Sequence, residues 1–180
     1  MKKIIVATNN QGKIKEFKTL LSAHYEVLSL KEAGLESDPE ENAPDFIGNA
    51  LIKAKAVAEK TDAIVLADDS GLCCNALGGK PGVLSARYAG ANGDSIANMN
   101  KLLQDLDGKA DRSAYFICVM ALIKDGLPYV FEGRVEGQIT KEVSGNKGFG
   151  YDPVFQPTGW SKTFADSSSD EKNTISHRAN

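Results

Sequence analysis

Two acidic residues stand side by side in Leu66-Ala67-Asp68-Asp69-Ser70-Gly71, where an apolar run gives way to a glycine-containing stretch. Adjacent carboxylates raise each other's pKa unless a cation is close, so the pair suits a divalent metal or a general base. A strand capped by an aspartate turn would use the same residues without any chemistry. The surroundings bear on that choice. Ala63-Ile64-Val65-Leu66-Ala67 is short, β-branched in its middle and bounded by polar residues, which predicts a buried strand. Ser70-Gly71 is expected to break it, placing Asp68 and Asp69 at the carboxyl end of a strand, the edge at which open α/β sheets bind ligands.

Other constellations point to an anionic, aromatic ligand. Thr8-Asn9-Asn10-Gln11-Gly12-Lys13 is a polar turn between a strand and a helix. A helix N-terminus offers free N–H groups and partial positive charge, and Lys13 adds a full one, a combination that attracts phosphate. It is not a Walker loop, and capping by Thr8 or Asn10 is the plainer use of these side chains. Lys53 falls on the polar side of its helix, near an acidic loop that carries Glu40 and Glu41. In Gly145-Asn146-Lys147-Gly148-Phe149-Gly150-Tyr151-Asp152-Pro153, glycines let the backbone approach a ligand and Phe149 and Tyr151 offer stacking faces. Asp152 is suited to accept hydrogen bonds from a base edge. Ser176-His177-Arg178 supplies donors for a carbonyl or phosphate oxygen. Neither order nor number of these residues suggests a Ser-His-Asp or Cys-His nucleophile.

The elements that must position these groups follow from periodicity. Strands are expected over Lys3 to Ala7 and Tyr25 to Leu30, with a helix between them carrying Ile14, Phe17, Leu20 and Leu21. An acidic loop spans Glu36 to Asp45. A helix from Phe46 to Lys60 follows, with Ile47, Ala50, Leu51, Ala54, Val57 and Ala58 as its buried stripe. Leu72 to Gly90 reads mostly as loop, because Gly78-Gly79-Lys80-Pro81-Gly82 continues no regular element. The next helix, Ser95 to Leu106, buries Ile96, Met99, Leu102, Leu103 and Leu106. Ser113 to Lys124 and Leu127 to Thr140 are long β segments joined by Asp125-Gly126, the first central and the second with one face to solvent. Ser168 with Glu171 resembles a capping box opening a last helix, and Asn180 arrives before such a helix reaches its usual length, so the chain reads as truncated.

Composition bounds the function. A chain of 180 residues, 42% hydrophobic and 25% charged, suits one soluble globular domain or two lobes sharing a sheet. A net charge of −3 disfavours a broad nucleic-acid or membrane surface, so any anion must be held by local lysines and arginines. No apolar stretch approaches the ~20 residues a bilayer span needs. Cys73, Cys74 and Cys118 form neither a disulfide framework nor a zinc spacing and read as buried reduced thiols of a cytoplasmic protein.

Together these pieces resemble one family. Thr8-x-Asn10-x-x-Lys13, Phe46-x-x-Asn49-Ala50-x-x-Lys53-Ala54, Ala67-Asp68-Asp69-Ser70-Gly71-Leu72, Leu77-Gly78-Gly79-x-Pro81-Gly82-x-x-Ser85-Ala86-Arg87-Tyr88, Phe149-Gly150-Tyr151-Asp152-Pro153 and Ile175-Ser176-His177-Arg178 look like signatures of the inosine triphosphate pyrophosphatases. The match runs in the family's order from Ile4 to Ala179. The resemblance implies a single catalytic domain over residues 1–180, an α/β fold of two lobes with an elongated, mixed, twisted sheet flanked by helices and a cleft between the lobes. It implies a cytoplasmic homodimer that uses Mg2+ to hydrolyse XTP, ITP and dITP to the monophosphate and pyrophosphate. By the same resemblance, Asp69 is the acid/base and a metal contact, and Glu41, rather than Glu40, is the second metal contact. Thr8, Asn9, Asn10, Gln11, Gly12, Lys13 and Lys53 fall on the triphosphate side and Ser70 on a substrate contact. Phe149, Gly150, Tyr151, Asp152, Lys172, His177 and Arg178 fall on the nucleoside and base pocket.

Departures from the family pattern concentrate before the second helix. Ala43-Pro44-Asp45 stands where glycine and threonine are more usual, and Gly48 where glutamate is frequent. Asn75 occupies a position that is often aspartate. Other readings of the same residues are a septum-formation-inhibitor-type pyrophosphatase, a nucleotide-binding sensor without catalysis, and an RNA-binding module built on Phe149 and Tyr151.

Overall fold

The structure is a computed structural model and describes residues 1–90 and 93–180. Among these residues it holds four α-helices and one six-stranded mixed sheet, in the order β2-β1-β3-β4-β5-β6. The strands are β1 (Lys2–Val6), β2 (Tyr25–Ser29), β3 (Ile64–Cys74), β4 (Ser113–Lys124), β5 (Leu127–Ile139) and β6 (Phe155–Pro157). The helices are α1 (Gln11–Leu21), α2 (Phe46–Ala58), α3 (Ser95–Asp105) and α4 (Ser169–Asn173). The fold is of the α/β class, with parallel strands at one side of the sheet and an antiparallel β5–β6 pair at the other. Two compact units divide the chain, one of Met1–Asp69 with Cys118–Glu132 and the other of Ser70–Ile117 with Gly133–Asn180.

In the first unit β1 lies parallel to both β2 and β3, with Ile4 opposite Val27 and Ile64. The helix α1 between β1 and β2 buries Ile14 and Phe17, and Phe17 packs with Ile4, Val6 and Leu66 into a small core. Asn10 caps α1: its side chain accepts from the Lys13 amide, which leaves Gln11, Gly12 and Lys13 in the first turn. Asp45 caps α2 in the same way through the Gly48 amide. The buried face of α2 is Asn49, Ala50, Ala54 and Val57, whereas Ile47 is exposed. A polar asparagine thus takes an inward position that apolar periodicity assigned elsewhere.

The second unit has the larger core, with Leu72, Met99, Leu102, Leu106, Phe116, Tyr151, Val154, Phe155 and Phe164 among its members. Phe155 lies 4.6 Å from Phe116 and 5.4 Å from Phe164, centroid to centroid, so aromatic faces hold this core together. Ile96, expected inside, is 70% exposed on the outer side of α3.

The clearest departure from the sequence reading is β3. The pair Ser70-Gly71 does not end it; the strand continues for 11 residues to Cys74, so Asp68 and Asp69 lie in its middle. Only Ile64 and Ser70 along it escape full burial. Leu72, Cys73 and Cys74 are all buried, and that burial outweighs the turn preference of a Ser-Gly pair. The stretch read as loop from Leu72 therefore begins only after Cys74, with two short 3-10 turns at Asn75–Leu77 and Gly82–Arg87. All three cysteines are buried and free, and burial pushes the Cys74 thiol up to about 12.

The hairpin expectation holds. Asp125 at φ 53° and Gly126 at φ 76° form the two left-handed positions of a type I′ turn between β4 and β5. The solvent-facing character of β5 extends further than alternation suggested, because Leu127 through Glu132 are exposed on both faces. At the other end, Ser168 and Glu171 form the reciprocal capping box, but α4 stops at Asn173 and the last residues run as turn.

Candidate active site

Two polar clusters, one in each unit, account for most of the candidate residues. The first surrounds Asp68 and Asp69 on β3. Strand pleating sends these neighbours to opposite faces, and a different lysine meets each. Lys13, from the first turn of α1, approaches Asp68 Oδ2 at 3.0 Å. The Cys118 thiol, 3.8 Å away on β4, donates to the same oxygen. Asp68 is fully buried, so it serves as a fixed counter-charge for Lys13 and is closed to solvent.

Asp69 faces α2. Lys53 Nζ lies 3.5 Å from Asp69 Oδ1 and 2.9 Å from Glu41 Oε2, so one ammonium joins the two carboxylates. Asn49 Nδ2 donates to Asp69 Oδ2 at 3.2 Å. Burial raises the Asp69 pKa against the opposing pull of Lys53 and Lys13, with Glu41 adding to the rise. For Lys53, burial alone would lower the pKa; Asp69, Asp68 and Glu41 more than offset it, and the ammonium is held charged. Glu41 is partly buried at the Lys53 side of the acidic loop and Glu40 is exposed, which favours Glu41 of the two. Within the Thr8–Lys13 turn, Thr8 Oγ1 accepts from the Asn10 amide, Asn10 is engaged as the cap, and Asn9 Nδ2 donates to the Ser37 carbonyl. Gln11 is exposed, and Gly12 is partly exposed beside Lys13.

The second cluster gathers residues from β3, the 149–152 segment and the chain's last turn. Arg178 Nη2 donates to Ser70 Oγ at 2.7 Å, across 108 residues of sequence. The Arg178 guanidinium also lies 5.7 Å from the centre of the Phe149 ring. Lys172 is buried; its Nζ is 2.7 Å from Asp152 Oδ2 and 4.8 Å from the Phe149 ring centre. His177 is buried and stacked on Phe116 at 4.9 Å. Gly150 sits at φ +60°, a conformation glycine adopts at no steric cost, and this turns the chain between Phe149 and Tyr151.

Two expectations about this segment change. Asp152, read as a hydrogen-bond acceptor for a base edge, is 2% exposed and its Oδ2 accepts from both the Phe149 amide and Lys172. Its carboxylate closes the loop back on itself. Gly148 belongs to the same closure, since a Cβ there would collide with the Asp152 carboxylate. Of the two aromatic faces, only that of Phe149 stays partly exposed: Tyr151 is packed in the core and its hydroxyl donates to the Ser85 carbonyl at 2.7 Å. What sequence reasoning missed is Asn49. Its place in a motif was visible, but its contact with Asp69 depends on tertiary approach and leaves no local signal.

Comparison with known proteins identifies the family. Residues 4–180 match the Ham1 family. The chain is 50% identical to a dITP/XTP pyrophosphatase of Bacillus licheniformis over 99% of its own length and 93% of the relative's. Against the dITP/XTP pyrophosphatase of Bacillus subtilis it is 49% identical, over 99% and 92% of the two chains. Among solved structures, the Ham1 protein of Staphylococcus aureus superposes with a TM-score of 0.87 at 43% identity, covering 99% of this chain and 93% of that one. The HAM1 protein of Coxiella burnetii gives 0.88 at 40% identity, with the same coverage.

Proposed function

The chain belongs to the Ham1 family, and from that membership we propose that it is a nucleoside triphosphate pyrophosphatase acting on XTP, ITP and dITP. Water adds to phosphorus, the α–β phosphoanhydride breaks, and pyrophosphate leaves with the bonding electrons. The water proton passes to Asp69. The observation that carries this reading is the Asp69 carboxylate itself: buried, held by Asn49 at one oxygen, and facing Lys53 at the other. A carboxylate whose pKa is raised by burial is a better proton acceptor than one in water.

A triphosphate brings roughly four negative charges, and a protein of net charge −3 can hold them only through focused cations. Lys13 and Lys53 supply two on this side of the reaction, with the α1 N-terminus and its turn Thr8 to Gly12 adding backbone donors. The donor chemistry also fits Mg2+. Glu41 and Asp69 are hard oxygen ligands already drawn to a common cation, and among the described residues no cluster of three or more His, Cys, Asp or Glu exists. Mg2+ characteristically takes one or two carboxylates and completes its shell with water and substrate phosphate. When bound by Glu41 and Asp69, it would neutralise phosphate oxygens.

Ser70, Phe149, Gly150, His177 and Arg178 are assigned to the nucleoside, and Tyr151, Asp152 and Lys172 to the loop that presents Phe149 to it. Phe149 contributes a face, Arg178 and His177 contribute donors, and Asp152, Lys172 and Tyr151 set the loop that carries Phe149. A 6-oxo purine accepts a hydrogen bond where adenine donates one, so a cationic donor at that edge favours 6-oxo purines over adenine, and rejection of guanine must come from its 2-amino group. A cytoplasmic homodimer is the form that the family resemblance implies, and it belongs to this proposal; among the described residues no helix is long and apolar enough to cross a membrane. The test is pyrophosphate release from XTP, ITP, dITP, ATP and GTP, with and without Mg2+. Release from the first three alone, abolished by chelation, is expected; equal turnover of ATP would overturn the substrate assignment.

A further inference from the structure

The helix α2 offers two side chains one turn apart, Asn49 and Lys53, and both bridge the same two features. Lys53 reaches Glu41 of the acidic loop and Asp69 of β3. Asn49 reaches the same loop, where its Oδ1 accepts from the Ala43 amide at 3.0 Å, and the same aspartate, where its Nδ2 donates at 3.2 Å. The orientation of the amide is dictated by its partners: a backbone N–H requires the oxygen and a carboxylate requires the nitrogen. Resting on the catalytic reading above, we propose that Asn49 is a positioning residue that holds the Asp69 carboxylate and the Glu41 loop in register with each other.

The two bridges differ in what substrate does to them. Lys53 is a cation, 12% exposed, and on the catalytic reading incoming phosphate competes with Glu41 and Asp69 for it. Asn49 is neutral and 1% exposed, so phosphate has neither access to it nor strong attraction for it. It keeps Asp69 Oδ2 occupied and thereby leaves Oδ1 as the oxygen turned toward Lys53. The loop is pressed home by a close approach just before Asn49. A Cβ at Gly48 would stand 2.5 Å from the Ala43 Cβ and 3.2 Å from Asp45 Oδ1, so the loop can lie this near α2 only because residue 48 has no side chain. The departures from the family pattern at Ala43 and Gly48 therefore fit each other: the methyl at one fills the space vacated at the other.

The test separates the two bonds of Asn49. Asn49→Asp preserves volume and the acceptor for the Ala43 amide but removes the donor to Asp69. Asn49→Ala removes both. Gly48→Ala leaves the asparagine in place and pushes on the loop, and Ala43→Gly in the same chain relieves the push. Amide hydrogen exchange at Ala43 is measured alongside kcat, KM and the thermal midpoint. In Asn49→Asp, Ala43 should stay protected while kcat falls about tenfold or more, as for other residues that orient a reacting group. In Asn49→Ala, Ala43 should also exchange faster. Gly48→Ala should lose Ala43 protection and activity, and Ala43→Gly should restore both. Wild-type kcat in Asn49→Asp, or unchanged Ala43 exchange in both Asn49→Ala and Gly48→Ala, would overturn the proposal. If Asn49→Ala does not fold, the Asn49→Asp and Gly48→Ala pair reads both halves. A wild-type protein that releases no pyrophosphate would count against the catalytic reading alone, and Ala43 exchange would still judge the positioning.

Discussion

The two units solve different electrostatic problems, and their lysines show it. In the first, Lys13 and Lys53 keep part of their side chains in solvent, each held to carboxylates on β3 or the acidic loop. In the second, the Lys172–Asp152 pair is almost wholly buried beneath the Phe149 and Phe164 rings. A partly solvated lysine can exchange its carboxylate for a phosphate at small cost. A buried pair cannot, because separating it would leave an uncompensated charge in a low dielectric. The first unit thus has cations available for a highly charged ligand. The second uses its ion pair as scaffold, while Arg178 brings a donor bonded to Ser70 to within 5.7 Å of the partly exposed Phe149 ring.

The largest effect that would break this contrast lies at Asp69. Asp69→Asn keeps the shape but loses the proton acceptor, and kcat for pyrophosphate release should fall roughly 10²- to 10⁴-fold. Near-normal turnover would remove the first unit from the chemistry.

Next come the lysines. Losing a charge-assisted contact to phosphate is worth about 1.5–3 kcal/mol, so Lys13→Ala and Lys53→Ala should each raise KM at least tenfold. Unchanged KM and kcat in both would show that these lysines serve only their carboxylate partners, like Lys172, and the contrast between the units would collapse.

Base selection is expected to be smaller and confined to the second unit. Arg178→Ala should lower the ratio of kcat/KM for ITP over ATP by an amount equivalent to about 1–3 kcal/mol, since a donor suited to a 6-oxo group penalises an amino group. The ratio is measured at fixed Mg2+ and salt. If it does not change, the reading of position 6 passes to His177 or backbone amides.

Smallest of all is Tyr151→Phe. The hydroxyl is bonded to the Ser85 carbonyl inside the core, so its removal should cost about 1 kcal/mol and lower the thermal midpoint by roughly 2–4 °C, with KM for nucleotide unaltered. A raised KM at an unchanged midpoint would make Tyr151 a ligand contact and would blur the proposed division between Phe149, at the substrate, and the residues that hold it.

Much of this protein is determined locally. The cap at Asn10, the start of α2 at Phe46, the Asp125-Gly126 hairpin and the Ser168–Glu171 box each involve residues within a few positions of one another. The backbone's unsatisfied N–H groups and the left-handed turn positions select those residue types wherever they occur. For the same reason the motifs around Asp69, Lys53 and Arg178 were legible, as residue types with chemical capacity and a family order. Their partners were not. Ser70 and Arg178 meet across 108 residues, and nothing in either neighbourhood specifies the other. Asp152 reads in the sequence as an acceptor for a base edge, and its pairing with Lys172, 20 residues on, exists only in the folded chain. Asn49 is part of the α2 signature in the sequence, and only the approach of α2 to β3 and the Ala43 loop makes it a bridge. The continuation of β3 through Ser70-Gly71 was decided the same way. Turn propensity is a small local free energy, and the burial of Leu72, Cys73 and Cys74 exceeds it only once the rest of the chain has folded around the strand.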